Sequence, residues 1–264
     1  MNKLEGKVAY ITGASKGIGE GIARVLAKHG AHVLLIGLSD LVFDTAKKLE
    51  IEGYKTSAYQ VNVAKYENVK ESVDDAIKKF GRIDILINNA GVSKMFRFLE
   101  VSDELRDWQF NTNIIVTWNC TKAILPNMIK QKYGRIINMS SITGTMVVGE
   151  GQVAYATTKA ALLGFTKALA LEVVKDNITV NAICPGIIFT PHIKDVTATR
   201  INPGHPQKVL NDFANNIPMG RLGTIEEIGN LAAFLSSDES SYITGTQNVI
   251  DGGLTLLEIM GLKI

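Results

Sequence analysis

The chain is poor in cysteine. Cys120 and Cys184 are its two thiols, too few for a disulfide scaffold and without the paired spacing of a zinc site. Two buried free thiols in a reducing cytoplasm are the expectation. The four histidines, His29, His32, His192 and His205, also lack ligand spacing, so no metal is expected. No run of about 18 apolar residues occurs, so no segment is expected to span a membrane. Met1–Val8 lacks the apolar stretch of a secretory signal. Charge of one sign is missing too: 28 basic residues against 26 acidic ones leave a net charge of +2. Without a basic cluster, a nucleic-acid partner is not expected, and Lys47-Lys48 and Lys78-Lys79 read as solvated helix faces. Proline is scarce, and four of the six prolines fall between Ile187 and Met219.

What is present is an alternation of short β-branched runs with longer amphipathic stretches, the pattern of parallel strands joined by crossover helices. Strands are predicted at Lys7–Thr12, His32–Ile36, Thr56–Asn62, Ile83–Asn88, Gly134–Met139, Ile178–Ile183 and Gln247–Ile250. Helices are predicted near Gly17–His29, Asp40–Glu52, Glu67–Phe80, Trp108–Gln131, Val153–Lys175 and Ile225–Leu235. The length suits one α/β domain over residues 1–264, with no linker or repeat. The proline-bearing stretch 187–219 breaks the rhythm and reads as a substrate lid with a short helix at Gln207–Asn215.

The first strand runs into Thr12-Gly13-Ala14-Ser15-Lys16-Gly17-Ile18-Gly19 and then a helix. Gly13, Gly17 and Gly19 permit a tight turn and let backbone approach a pyrophosphate resting on the helix N-terminus, with Ser15, Lys16 and Ile18 beside it. Placement between strand and helix makes this a dinucleotide site rather than a bare glycine turn. At the end of the second strand, Gly37-Leu38-Ser39 offers no carboxylate for ribose hydroxyls. Lys16 and Ser39 suit a 2′-phosphate, so NADP is expected over NAD.

Tyr155 and Lys159 lie four residues apart on a predicted helix and share a face. A phenol of pKa near ~10 is a poor acid or base at neutral pH. An ammonium at about 4 Å, with an effective dielectric of about 20, favours the phenolate by roughly 4 kcal/mol. The expectation is therefore a tyrosine whose pKa is lowered by Lys159.

Together the elements Thr12-Gly-x-x-x-Gly-x-Gly19, Asn88-Asn89-Ala90-Gly91, Asn113, Ser140-Ser141, Tyr155-x-x-x-Lys159, Pro185-Gly186 and Asp251-Gly252-Gly253 resemble the short-chain dehydrogenase/reductase (SDR) family over nearly the whole chain. The resemblance implies a Rossmann-type doubly wound α/β sandwich with a seven-stranded parallel sheet, order 3-2-1-4-5-6-7. It implies that Tyr155 is the general acid or base, and that Lys159 lowers its pKa and binds the nicotinamide ribose. Ser141 would bond the substrate oxygen, and Asn113 would hold a water linking Lys159 to solvent. Asn62 and Val63 would lie near the adenine. Asn89, Ala90 and Gly91 would line the cofactor, and Pro185, Gly186, Ile188 and Thr190 would meet its nicotinamide end. The stretch between serine and tyrosine is one residue longer than in many family members. Aligning Gly144-Thr145-Met146 with the usual glycine turn assigns the role to Ser141, with Ser140 facing the other way.

The expected walls, Ser93–Leu99, Thr143–Gly151 and Ile187–Asn215, carry Met95, Phe96, Phe98, Met146, Val147, Val148, Ile187, Ile188, Phe189 and Ile193. They suit a bulky apolar small molecule, a hydroxysteroid or bile-acid ketone being the leading expectation. His192 is a further candidate for substrate contact. A 3-oxoacyl-[acyl-carrier-protein] reductase is the enzyme alternative. Lys130 and Lys132 favour it, and Leu171, where such reductases often carry arginine, counts against it. A non-catalytic nucleotide-sensing or scaffold protein is the alternative of another class, opposed by the complete Ser–Tyr–Lys set and Asn113. The resemblance also implies a homotetramer built through the helices bearing Asn113 and Tyr155 and the last strand, with Leu162, Phe165 and the 254–264 tail as apolar surface wanting cover.

Overall fold

The computed structural model describes residues 2–256. Seven strands form one parallel sheet: β1 (Val8–Thr12), β2 (His32–Gly37), β3 (Thr56–Gln60), β4 (Ile85–Asn88), β5 (Gly134–Met139), β6 (Ile178–Pro185) and β7 (Gln247–Ile250). Their spatial order is β3-β2-β1-β4-β5-β6-β7. The central strands are buried along their whole length, which is why they read as near-continuous apolar runs.

The pleat sends alternate residues to opposite faces. Ala9 and Ile11 of β1 join one apolar cluster, Val8 and Tyr10 the other. The first cluster packs under α1 (Gly17–Lys28), α2 (Leu41–Ile51) and α9 (Ile225–Ser236). The second lies under α3 (Tyr66–Phe80), α5 (Val116–Gln131) and α6 (Val153–Val173). Helices α1 and α9 cross closely because Gly21 and Gly229 carry no side chain: a Cβ on Gly21 would run into Ile225, and one on Gly229 into Val25. Helix α9 opens with a capping box, in which Thr224 accepts from the Glu227 N–H and Glu227 accepts from the Thr224 N–H.

The strand order reverses between β1 and β4, and a crevice opens there at the carboxyl ends of the strands. Around it the sequence expectations needed three corrections. The helix expected as one piece over Trp108–Gln131 begins at Asp103, where Ser102 Oγ accepts from the Leu105 N–H. It runs as α4 (Asp103–Phe110), widens into a π turn at Asn111–Ile115 and continues as α5. Such a turn has no signature in residue type, because only the hydrogen-bond register changes.

The stretch expected as a lid carries the short helix read at 207–215 and further helical turns ahead of it. A π-type turn, His192–Ala198, leads into the single-turn α7 (Thr199–Ile201), and α8 (Pro206–Asn215) follows with proline at its first position. Val209 and Leu210 are buried there against Ile193, Phe213 and Leu222. Ile193 therefore belongs to the lid's own small core and not to the cleft wall.

The third correction concerns apolar surface. Leu162 is buried and Phe165 packs partly buried inside the chain, beside Trp118 with ring centroids 5.7 Å apart. Neither needs a partner subunit. Most of the 254–264 tail lies outside the described residues.

Candidate active site

The turn after β1 is shaped by what its glycines leave out. Gly13 and Gly17 have φ of +64° and +63°, a region costly for residues with a Cβ. A Cβ on Gly13 would sit 3.0 Å from Ala90 Cα, and one on Gly19 would land on the Gly13 carbonyl oxygen. Lys16, the cap residue of α1, is extended and makes no side-chain cap bond. The helix thus presents its first N–H groups and the positive end of its dipole uncapped. Thr190 in the lid lies 3.7 Å from where a Gly17 Cβ would be, so the lid faces the turn across the crevice. An uncapped helix start behind a glycine cradle fits a pyrophosphate.

Ser15 anchors this turn to β2. Its carbonyl accepts from Thr45 Oγ1 at 2.8 Å, and its hydroxyl occupies the place a Gly37 side chain would take. Leu38 and Ser39 are exposed next to it, with the Leu38 carbonyl accepting from Gln60 Nε2 at 3.2 Å. Ile18 packs inward onto the core. Asn62 Oδ1 accepts from the Ala64 N–H at 3.1 Å, and the Val63 carbonyl accepts from Asn119 Nδ2. One lone pair of the Asn62 oxygen is therefore already used locally.

Between β1 and β4, Thr12 is the hub. Its Oγ1 accepts from the Asn89 and Ala90 N–H groups, both at 3.0 Å, and donates to the Ile87 carbonyl. Asn89 Nδ2 donates to the Thr12 and Gly13 carbonyls, so this side chain ties the two strand ends together. A Cβ on Gly91 would lie 3.2 Å from Asn113 Oδ1 and 3.5 Å from Lys159 Nζ. At the other side of the crevice, Pro185 accepts from the Ile142 N–H, and Gly186 donates to Ile250. Ile188 is buried and bridges to Gly223. Thr190 Oγ1 accepts from the Ile193 N–H at 3.3 Å.

Tyr155 and Lys159 come from the first turns of α6, and Ser140 and Ser141 directly follow β5. The two serines have different partners. Ser141 sits beside the Tyr155 phenol, and its Oγ accepts from the Thr143 N–H at 3.0 Å. Ser140 Oγ donates to the Lys159 carbonyl at 2.8 Å. Asn113 is buried in the π turn. Its Nδ2 donates to Thr158 Oγ1 at 2.9 Å and to the Val92 carbonyl, and its Oδ1 accepts from the Val92 N–H. These bonds fasten the segment after β4 to α6.

The electrostatics overturn one expectation. Burial raises the Tyr155 pKa, and the neighbouring Ser141 side chain offsets this only in part. Lys159 does not bring the phenol down: its ammonium donates to the Met139 carbonyl at 2.8 Å and lies 5.6 Å from the Tyr155 ring centroid. Burial lowers the lysine itself to about 8. Desolvation is the largest influence on both side chains. Burial, with Lys16 and Arg200, likewise lowers the pKa of His192.

Several contributors were missed in the sequence. Thr12, Thr158 and the Met139 carbonyl hold the set together, and Gln109 Oε1 accepts from the Lys94 N–H at 3.0 Å. Of these, Thr12 had a readable signal in its place at the head of the glycine turn. Among the described residues no cluster of His, Cys, Asp and Glu could hold a metal, and no helix is long and apolar enough to cross a membrane.

Comparison with known proteins agrees with this geometry. A family model described as enoyl-(acyl carrier protein) reductase matches residues 13–255. The oxidoreductase UcpA of Salmonella typhimurium is 51% identical over 264 residues, covering 100% of both chains. A 3-oxoacyl-[acyl-carrier-protein] reductase, FabG of Thermotoga maritima, is 40% identical over 96% of this chain and 100% of its own. L-sorbose reductase from Gluconobacter frateurii, solved with NADPH and L-sorbose, superposes with a TM-score of 0.91 at 35% identity, over 97% of this chain and 100% of that one. With its strand order, glycine turn and Ser–Tyr–Lys cluster, the chain belongs to the short-chain dehydrogenase/reductase family of oxidoreductases.

Proposed function

We propose that the protein is an NADPH-dependent reductase that converts a ketone on a bulky, largely apolar small molecule into a secondary alcohol. The observation that carries this reading is the approach of Ser141 to the Tyr155 phenol at the crevice, with Lys159 one turn further along the tyrosine's helix. Bound NADPH supplies the hydride. The two hydroxyls converge on the place a carbonyl oxygen takes, where negative charge develops and donors are worth most. A raised pKa keeps Tyr155 protonated at neutral pH, which suits the acid needed for reduction. Lys159, lowered to about 8, still carries its proton at pH 7, and its bond to Met139 holds the ammonium beside the phenol. NADP is favoured by Lys16 in the turn and by the lack of a carboxylate at Gly37-Leu38-Ser39, and the sorbose reductase neighbour binds NADPH.

The wall segments leave Phe96, Phe98, Met146, Val148 and Phe189 exposed, which supports an apolar substrate body. A hydroxysteroid or bile acid is one member of that class, and the relatives above lend it no support. A 3-oxoacyl thioester is the second reading, favoured by the Thermotoga relative. Leu171, 80% exposed on α6, offers an acidic carrier no charge. A non-catalytic sensor is disfavoured by the intact set. The proposal extends to a homotetramer joined through the helices around Asn113 and Tyr155, where Ile115, Trp118 and Leu171 remain exposed.

The test is NADPH oxidation with steroid ketones, smaller cyclic ketones, ketoses and 3-oxoacyl thioesters, repeated with NADH. NADPH should exceed NADH several-fold, and Tyr155→Phe should lower kcat by about 10³. An unchanged rate in that variant overturns the acid role, and a strong preference for thioesters overturns the substrate order.

A further inference from the structure

The segment after β4 is fastened on two sides. Val92 and Lys94 are held by Asn113 and Gln109, on the π turn and α4. The next three residues are held by the loop that leads into α6: Met95 Sδ accepts from Gln152 Nε2 at 3.5 Å, the Phe96 N–H donates to the Gly151 carbonyl at 3.0 Å, and Arg97 pairs with Glu150 at 2.8 Å. Gln152 is three residues, or about one helical turn, before Tyr155. At this corner lies an open cavity of about 360 Å³ lined by Met95, Phe96, Arg97, Glu100, Glu150 and Gly151.

Its charge is unbalanced. Two carboxylates face one guanidinium, and that guanidinium is already engaged by Glu150. Lys94, on the same segment, is not among the lining residues. The Arg97 and Glu150 side chains are 72% and 77% exposed, and an ion pair that open adds little to stability. Its effect is therefore on what enters: with Arg97 and Glu150 offsetting each other, the charge of Glu100 leaves the lining net negative toward an approaching anion, while apolar carbon meets Met95 and Phe96.

Resting on the reductase reading above, we infer that this corner is a distal subsite which admits the neutral end of a substrate and rejects a carboxylate or phosphate there, with Glu100 and Glu150 as its specificity-determining residues. Like-charge juxtaposition of this kind is how sites discriminate without gaining affinity for the preferred ligand.

A matched pair tests this: one ketone bearing a terminal carboxylate and the same ketone as its primary amide. The readout is the ratio of kcat/KM for amide over carboxylate. The same ratio of dissociation constants is measured by calorimetry on Tyr155→Phe with NADPH bound, which does not require turnover. The native ratio is expected on the order of tenfold. It should shrink several-fold in Glu150→Gln, which also frees Arg97, and almost vanish in Glu100→Gln/Glu150→Gln. It should also narrow in 0.5 M salt, where exposed charges are screened. A native ratio near one, or a ratio unmoved in the double variant, overturns the subsite. So does binding of neither ketone to the Tyr155→Phe complex. Failure of every ketone to oxidise NADPH while the binding ratio behaves as expected sinks the reductase reading alone.

Discussion

The two halves of the crevice are built differently. On the side of the glycine turn there is little space to spare: a single added carbon would press on a carbonyl at Gly19, a hydroxyl at Gly37, and a side-chain amide at Gly13 and Gly91. On the substrate side, the walls are irregular or short helical pieces, joined by single hydrogen bonds and by an exposed ion pair, with aromatic side chains left open to solvent. The tight half suits a ligand whose shape is fixed. The loose half suits one that differs between members of a family while the chemistry stays constant.

The strongest attempt to break this contrast is Gly19→Ala. The new Cβ would run into the Gly13 carbonyl and the Asn89 side-chain amide, so the turn must shift, at a cost of about 3 kcal/mol. Affinity for NADPH, followed by its fluorescence on titration, should fall by roughly 100-fold. A fall of twofold or less would mean that the turn has slack. Next in size is Lys159→Met in the cofactor-free protein. The folded pKa of about 8 lies below the ordinary 10.5, so between those values the unfolded chain binds more protons. Stability therefore rises with pH through that window, and below pH 8 the full burial penalty is present, about 3 kcal/mol at most. Losing the bond to the Met139 carbonyl takes back about 1 kcal/mol. Urea midpoints should show the variant more stable by about 2 kcal/mol at pH 7, with the gain disappearing by pH 10.5. A gain that is equal at both pH values would assign the effect to packing instead. The smallest effect belongs to the loose half. Phe98→Ala, at an exposed position, should leave the unfolding midpoint within about 0.5 kcal/mol and raise KM for an apolar ketone about threefold. A stability loss above about 2 kcal/mol would show that this wall is core after all.

The same contrast decided how much was legible in the residues. In the tight half each constraint needs a particular residue type, so Gly13, Gly17, Gly19 and Asn89 announce their places, and the alternation of apolar runs gave all seven strands to within two residues at either end. Ser141 and Ser140 were separable by aligning the glycine turn at Gly144, and the two have different partners. The π turn at Asn111–Ile115 was not legible, since its Asn-Thr-Asn sequence is compatible with an ordinary helix. In the 187–219 stretch the helix at Gln207–Asn215 was legible, but the π-type turn His192–Ala198 ahead of it was not, since the prolines mark irregularity without saying which kind. The direction of the Tyr155 shift was misread for a further reason. Spacing places an ammonium near a phenol, but the amount of water excluded from both is a property of the packed chain.

The fastening of residues 92–97 has a mechanical consequence. One short strap is tied at its near end to the π turn through Val92 and Asn113, and at its far end to the residues just ahead of Tyr155, the proposed acid, through Phe96 and Gly151. Any molecule wide enough to push the strap outward pulls on both anchors at once. Width at the mouth and alignment of the acid are thus a single degree of freedom, and a variant that loosens one will detune the other.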